Sequence, residues 1–250
     1  MNRVDIFGVP YAVTDYAAAS ELILDKAKAG AAYSVFALPV HGIIEARDDA
    51  EFKQAVQTAD LIVPDGQPVR WAMNYFHDVG LEDRVYGPKL LAEVLAKADV
   101  HKLRVFVYGG STEEVQTKFV SFIEYNYPNL EVCGVYREDR AAVQTLNADS
   151  INSAAPHIVI VGLGCPNQEK WIARHQDQVN AVMIGVGAAL SFYSGATKMA
   201  PVWMQSLGLE WLFRLLSEPR RLWRRYFYTN STFILMVLKK MFRAGAEQRG

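Results

Sequence analysis

Cysteine is almost missing from this chain. Two occur in 250 residues, Cys133 and Cys165, too few for a disulfide framework and in keeping with a reducing compartment. An excess of either charge is missing too: 26 Lys and Arg stand against 27 Asp and Glu, a formal net charge of −1, which argues against a general nucleic-acid binder. Long apolar runs are absent. The longest near the C-terminal end, Phe233 to Leu238, falls far below the ~20 residues of a spanning helix, and the opening MNRVDIFGVPY has no apolar core of a signal peptide. The expectation is a cytosolic protein, unless it lies on a membrane face. There is no Gly-Lys-Ser/Thr phosphate loop, which argues against an NTPase. No Asp-x-Asp motif and no His/Cys/Asp cluster with ligand spacing occurs either, which agrees with a protein that holds no metal, and no cofactor is expected.

What is present is an alternation. Strand-like apolar runs fall at 33–38, 60–63, 103–108, 130–135, 157–161 and 181–186, and helical patterns at 15–29, 41–57, 87–98, 112–126, 138–154 and 166–178. Strands separated by helices imply parallel pairing through crossovers, and runs such as VFVYGG and IVIVGLG, apolar on both faces, imply a sheet covered on both sides. The fold expected is α/β: a Rossmann-like, mostly parallel sheet with helices on both faces. Ligands of such sheets bind at the carboxyl ends of the strands. Here those ends read Pro64-Asp65-Gly66, Gly109-Gly110-Ser111, Gly162-Leu163-Gly164 and Gly185-Val186-Gly187, converging on one crevice.

The richest of these ends is HIVIVGLGCPNQEKW, 157–171. A strand ending in glycines and feeding a helix start exposes backbone N–H groups suited to phosphate oxygens, so Gly164, with Gly109, Gly110, Ser111 and Gly187, is a candidate contact for a nucleotide or diphosphate. Ser111 followed by Glu114 also reads as a capping box that needs no ligand. The third glycine of a dinucleotide fingerprint and its acidic ribose partner are lacking, which disfavours hydride transfer. Asp65, ending a strand between Pro64 and Gly66, is the best candidate for chemistry: a carboxylate there can take a proton from a hydroxyl. It reads equally as an N-cap, with Pro68 just inside the following helix.

At the other end of the chain, GLEWLFRLLSEPRRLWRR interleaves Trp211, Leu212, Leu215, Leu216, Leu222 and Trp223 with arginines, broken by Pro219 into two short helices, and YFYTNSTFILMVLKKMFR follows. Aromatic and aliphatic residues mixed with arginine suit a helix in the headgroup region of an anionic membrane. A helical hairpin packed on the domain is the alternative.

VPDGQPVRW at 63–71, DRVYGPKLL at 83–91, VYGGS at 107–111, VGLGCPNQEKW at 161–171 and MAPVWMQSLGLEWLFRLLSEPRRLWRRY at 199–226, in this order and spacing, resemble the WecG/TagA/CpsF family of bacterial glycosyltransferases over essentially the whole chain. The resemblance implies an inverting, metal-independent hexosyltransferase moving a sugar from a UDP-sugar to a polyprenyl-diphosphate-linked saccharide, in surface or exopolysaccharide synthesis. It would act peripherally at the cytoplasmic face of the inner membrane. It further implies a catalytic domain over 1–198 and a C-terminal helical, membrane-associating appendage over 199–250. Residue by residue, Asp65 matches the family's base, Arg84 an active-site arginine and Gln168 a glutamine near the donor; by position Arg214, Arg221 and Arg224 would stabilise the leaving diphosphate. Beside these stand plainer readings: Arg84 in an ion pair with Glu82 or Asp83, and Gln168 and Glu169 as first-turn residues favoured by the helix dipole.

The chain departs from the family where Ala37-Leu38-Pro39 replaces Thr-Pro-Asn, with His41 beside the break, and where Met199 replaces an arginine. That leaves the donor open between an N-acetylmannosamine type and a plain hexose such as glucose. The partners expected are the donor, the lipid-linked acceptor and an anionic membrane surface, not nucleic acid, with a homo-oligomer left open. Two other classes remain to be weighed, a non-catalytic nucleotide-sugar-binding protein and a Rossmann oxidoreductase.

Overall fold

In a computed structural model, which describes residues 1–137 and 146–247, the chain opens with an antiparallel hairpin, β1 (Arg3–Ile6) and β2 (Val9–Ala12), that the periodicity did not reveal. Six further strands form one sheet: β3 (Tyr33–Leu38), β4 (Leu61–Pro64), β5 (Arg104–Gly109), β6 (Glu131–Tyr136), β7 (Ile158–Gly162) and β8 (Val182–Gly185). Their order is β4-β3-β8-β7-β5-β6, and every described neighbour pair in it is parallel. Each strand lies within a residue or so of the expected run. The α/β fold with a parallel sheet is therefore as the alternation implied.

Side-chain alternation divides the core into two layers. Phe36, Ile62, Phe106, Tyr108, Val159, Val161 and Met183 point to one face. Val35, Leu61, Val63, Val105, Val107, Ile158, Ile160 and Val182 point to the other. Helices cover both: α1 (Tyr16–Lys28), α2 (Val40–Asp48), α3 (Ala50–Thr58), α4 (Gln67–His77), α5 (Gly87–Val100), α6 (Glu113–Asn126), α7 (Ala148–Ser153), α8 (Asn167–His175) and α9 (Ala189–Tyr193). The second face carries α1, α5 and α6, while α2, α3, α8 and the hairpin sit on the first.

Several local expectations change. The helix expected over 41–57 is two, because Asp49 turns to extended backbone and its carboxylate accepts the Phe52 N–H, capping α3. Of the pattern at 138–154, α7 is what the described residues contain, and 138–145 lie outside them. Ser111 is not the cap of α6: Thr112 is, its hydroxyl accepting the Val115 N–H at 3.2 Å, and Ser111 is left exposed at the cleft rim.

The C-terminal stretch forms α10 (Val202–Ser206), α11 (Glu210–Ser217) and α12 (Pro219–Glu247). Pro219 does separate two helices, but the second is 29 residues long rather than short, since a proline in the first helical position has no intrahelical bond to lose. α12 lies against α2 and the hairpin. Tyr228 bonds both Arg47 and Asp48 at 2.7 Å, and Phe233 meets Phe7 edge-on with ring centroids 5.9 Å apart. Among the described residues no helix is long and apolar enough to cross a membrane.

Candidate active site

At the carboxyl ends of β3, β4, β7 and β8 opens a cleft of about 850 Å³, roofed by α11 and the first turns of α12. At its floor β5 and β7 come very close. A Cβ on Gly109 would stand 2.7 Å from the Gly162 carbonyl carbon and oxygen, and Gly109 has φ +104°, so a side chain there meets backbone that has no room to move.

Asp65 leaves β4 just as the chain turns. Gly66, at φ +123°, is the N-cap of α4 and offers no side-chain cap. The capping role is thus not what Asp65 performs. Its Oδ2 instead faces the start of α5, where the Gly87 N–H points at it from 3.4 Å, and the positive end of that helix favours the anion. Burial nevertheless raises its pKa from the ordinary carboxylate range to about 7. Arg84, the α5 start and Arg214 pull it down, while Glu210 pushes it up.

Arg84 stands in the α4–α5 loop, 6% exposed. Its ion-pair partner is neither Glu82 nor Asp83: Nη2 donates to Glu210 Oε2 at 2.7 Å, from α11. The guanidinium lies 4.4 Å from the Tyr86 ring centroid. Burial alone would lower its pKa, but Asp65 and Glu210 outweigh this and hold it above the ordinary value. The pair joins the roof to the floor of the cleft beside Asp65. Glu210 was missed in the sequence because it reads as an ordinary first-turn acid of an amphipathic helix.

Gln168 is buried, and its side chain bonds within the protein. Its Oε1 accepts the Gly187 N–H at 3.0 Å and its Nε2 donates to Glu169 at 2.8 Å, tying the β7 turn to the β8 turn. The Gly187 N–H, expected to face a phosphate, is therefore committed within the protein, as is the Gly110 N–H, which donates to the Gly162 carbonyl at 3.1 Å. Gly110, Ser111, Gly164, Gln168 and Gly187 all line the cleft; Gly109 lies beneath it. Glu169, fully buried, also lines the cleft, its pKa raised by burial to about 7 against the Gln168 hydrogen bond.

Of the three arginines expected over the cleft, Arg214 lines it one turn beyond Glu210, its Nε buried without a partner. Arg224 is exposed, stacked 5.4 Å from the Trp223 ring, and the adjacent Arg225 lines the cleft instead. One residue along a helix turns a side chain by about 100°, enough to exchange roof for solvent. The Arg221 side chain lies outside the described residues. Among those described, no group of three or more His, Cys, Asp and Glu side chains is arranged to hold a metal ion.

Residues 4–247 match the model of the Glycosyl transferase WecG/TagA/CpsF family. An N-acetylglucosaminyldiphosphoundecaprenol N-acetyl-beta-D-mannosaminyltransferase of Bacillus subtilis (strain 168) is 35% identical over 77% of this chain and 73% of its own length. Proteins of the same description from Bacillus spizizenii and Staphylococcus aureus (strain MW2) are 34% identical over 78% of the chain and 74% of their own, and 32% over 69% and 67%. A match over nearly the whole length means that the chain belongs to the Glycosyl transferase WecG/TagA/CpsF family.

Proposed function

We propose that this protein is an inverting glycosyltransferase that moves a sugar from a UDP-sugar to a polyprenyl-diphosphate-linked saccharide. The observation that carries the reading is Asp65: a cleft carboxyl with a pKa of about 7 beside the Arg84–Glu210 pair. A general base works best with a pKa near the working pH. The acceptor hydroxyl oxygen attacks the anomeric carbon of the donor as its proton passes to Asp65, and the bond from that carbon to the UDP oxygen breaks on the opposite side. UDP leaves with the bonding electrons. Arg214, a cationic group on the roof, is suited to receive the charge developing on the diphosphate, and Gly110, Ser111 and Gly164 line the part of the cleft where the donor would rest.

The acceptor class follows the relatives, whose names specify N-acetylglucosaminyldiphosphoundecaprenol. The donor does not follow as simply: Ala37 and Pro39 line this cleft with no side-chain hydrogen bond to offer, so a hexose such as glucose stands beside N-acetylmannosamine.

Residues 199–250 are proposed as a membrane-facing appendage on a catalytic unit of 1–198, resting on the cytoplasmic leaflet. Support comes from Leu216, Phe227, Leu235 and Phe242, each between 65% and 77% exposed on α11 and α12, among Arg220, Arg224, Lys239 and Arg243.

The test is transfer from UDP-glucose and UDP-N-acetylmannosamine to an N-acetylglucosaminyl-diphospho-lipid, read by mass spectrometry with and without EDTA. A glycosylated lipid from one donor, formed at the same rate with EDTA, is expected. No product from either donor and no binding of UDP would reject the reading.

A further inference from the structure

The cleft has a second polar wall that the proton transfer at Asp65 leaves unused. Asp65 follows β4 and the Cys165–Glu169 turn follows β7, with β3 and β8 between them, so the two groups are roughly 10–15 Å apart along the sheet edge. On that far wall three elements meet: α2 brings His41, α8 brings Glu169 and α12 brings Arg225, all lining the cavity.

Each of the three has a buried polar atom without a hydrogen-bond partner, namely His41 Nδ1, Glu169 Oε2 and Arg225 Nε. Glu169 is 0% exposed. Its Oε1 is taken by Gln168, and the carboxyl has beyond that only the weak bond of the Cys165 thiol, a poor donor that leaves room for a stronger one. His41 Nδ1 stands 3.6 Å from Glu45 Oε1, too far for a hydrogen bond. Burial, helped by the charge of Arg225, lowers its pKa to about 4, so near pH 7 the imidazole is neutral and can donate from one nitrogen and accept at the other. Ala37 and Pro39, close to Gly87 and Gly66 on the Asp65 side of the cleft, offer no side-chain hydrogen bond.

Buried polar atoms in folded proteins are nearly always satisfied, so three orphans together on one wall of the cavity mark a place where the missing partner is the ligand. Their chemistry limits what that ligand is. A phosphate suits Arg225 but is repelled by a buried carboxyl, and an amine suits Glu169 but not Arg225. A neutral group that both donates and accepts satisfies all three, as hydroxyls do. We infer that His41, Glu169 and Arg225 form a second subsite of the cleft, which binds neighbouring hydroxyls of a pyranose ring. The inference rests on the glycosyl-transfer reading. The ring belongs to the donor sugar or to the first sugar of the acceptor, and the two sources separate by experiment.

Full-length wild type, Glu169→Gln and His41→Ala are titrated calorimetrically with UDP, UDP-glucose and UDP-N-acetylmannosamine, and KM for the N-acetylglucosaminyl-diphospho-lipid is measured alongside. Melting curves identify any variant that fails to fold, and two variants on different helices guard against losing one. A lost hydrogen bond is worth a few-fold to about tenfold between neutral groups, and about tenfold or more where one is charged. The expected result is UDP affinity within about twofold of wild type in both variants, with one sugar-bearing ligand weakened about tenfold. Weakened UDP-sugar binding assigns the subsite to the donor; a raised lipid KM with unchanged UDP-sugar binding assigns it to the acceptor. If wild type transfers sugar and both folded variants match it in every arm, the subsite is overturned and the transferase reading stands. If wild type binds neither UDP nor a UDP-sugar, the transferase reading falls and the subsite falls with it.

Discussion

Replacing Glu210 by Gln tests the electrostatics of the cleft where they are most specific. Asp65 owes its pKa of about 7 first to burial, with Arg84 and Arg214 opposing and Glu210 reinforcing. The Glu210 carboxylate acts twice: it repels a charge on Asp65, and at 2.7 Å it occupies the guanidinium that would otherwise stabilise that charge. Glu210→Gln removes the repulsion and takes from Arg84 its competing anion, so both effects lower the Asp65 pKa. A shift of one unit corresponds to about 1.4 kcal/mol, and a charge change at this range moves a carboxyl by about that much or more. The assay is kcat/KM against pH, which reports the free enzyme's groups. Wild type should lose activity as pH falls through about 7, and the variant should hold its activity to a pH about one unit lower. Arg84 keeps a neutral partner in Gln, so the expected stability loss is roughly 1–3 kcal/mol, visible as a lower melting temperature. An unmoved or upward-shifted limb would refute the assignment of Asp65 as the titrating base.

Asp65→Asn should lower kcat by ~10² to 10⁴ while leaving UDP binding near wild type; a smaller loss in a folded variant counts against the base. Stability should change in the opposite sense. The folded carboxyl holds its proton up to about 7 and the unfolded one only to about 4, so ionisation costs wild type stability progressively between those values, by at most roughly 4 kcal/mol. Asn carries no such cost. The variant should therefore melt above wild type at pH 8, with the gap closing towards pH 4, and equal melting temperatures at pH 8 would contradict the buried-acid account. On the outer face, changing Phe227, Leu235 and Phe242 together to Asp should abolish co-sedimentation with vesicles rich in anionic lipid while leaving the fold intact by circular dichroism. Retained binding would remove α12 from the membrane contact.

Much of the scaffold was legible because strands buried on both faces leave an unmistakable pattern of short apolar runs between helical stretches. The chain spacing of β3, β4, β5, β6, β7 and β8 implied parallel pairing, and parallel pairing implied a cleft at their carboxyl ends. Asp65 was legible as a polar residue where such a strand stops. The hairpin β1–β2 was not, because two four-residue strands of mixed polarity carry too little periodicity. Nor was the length of α12, since a proline reads as a break whether it ends one helix or starts the next.

Sequence by itself determined the layer architecture, the motif order and the family, because local periodicity and turn chemistry are written residue by residue along the chain. Only the tertiary structure decided which groups face one another. Glu210 lies 126 positions from Arg84, yet supplies its ion pair. Gln168 became a strut between two turns, and the register of α12 put Arg225 over the cleft and Arg224 in solvent. A single step of about 100° around a helix, or one crossover of a sheet, sets such pairings, and neither can be read from the spacing of residues.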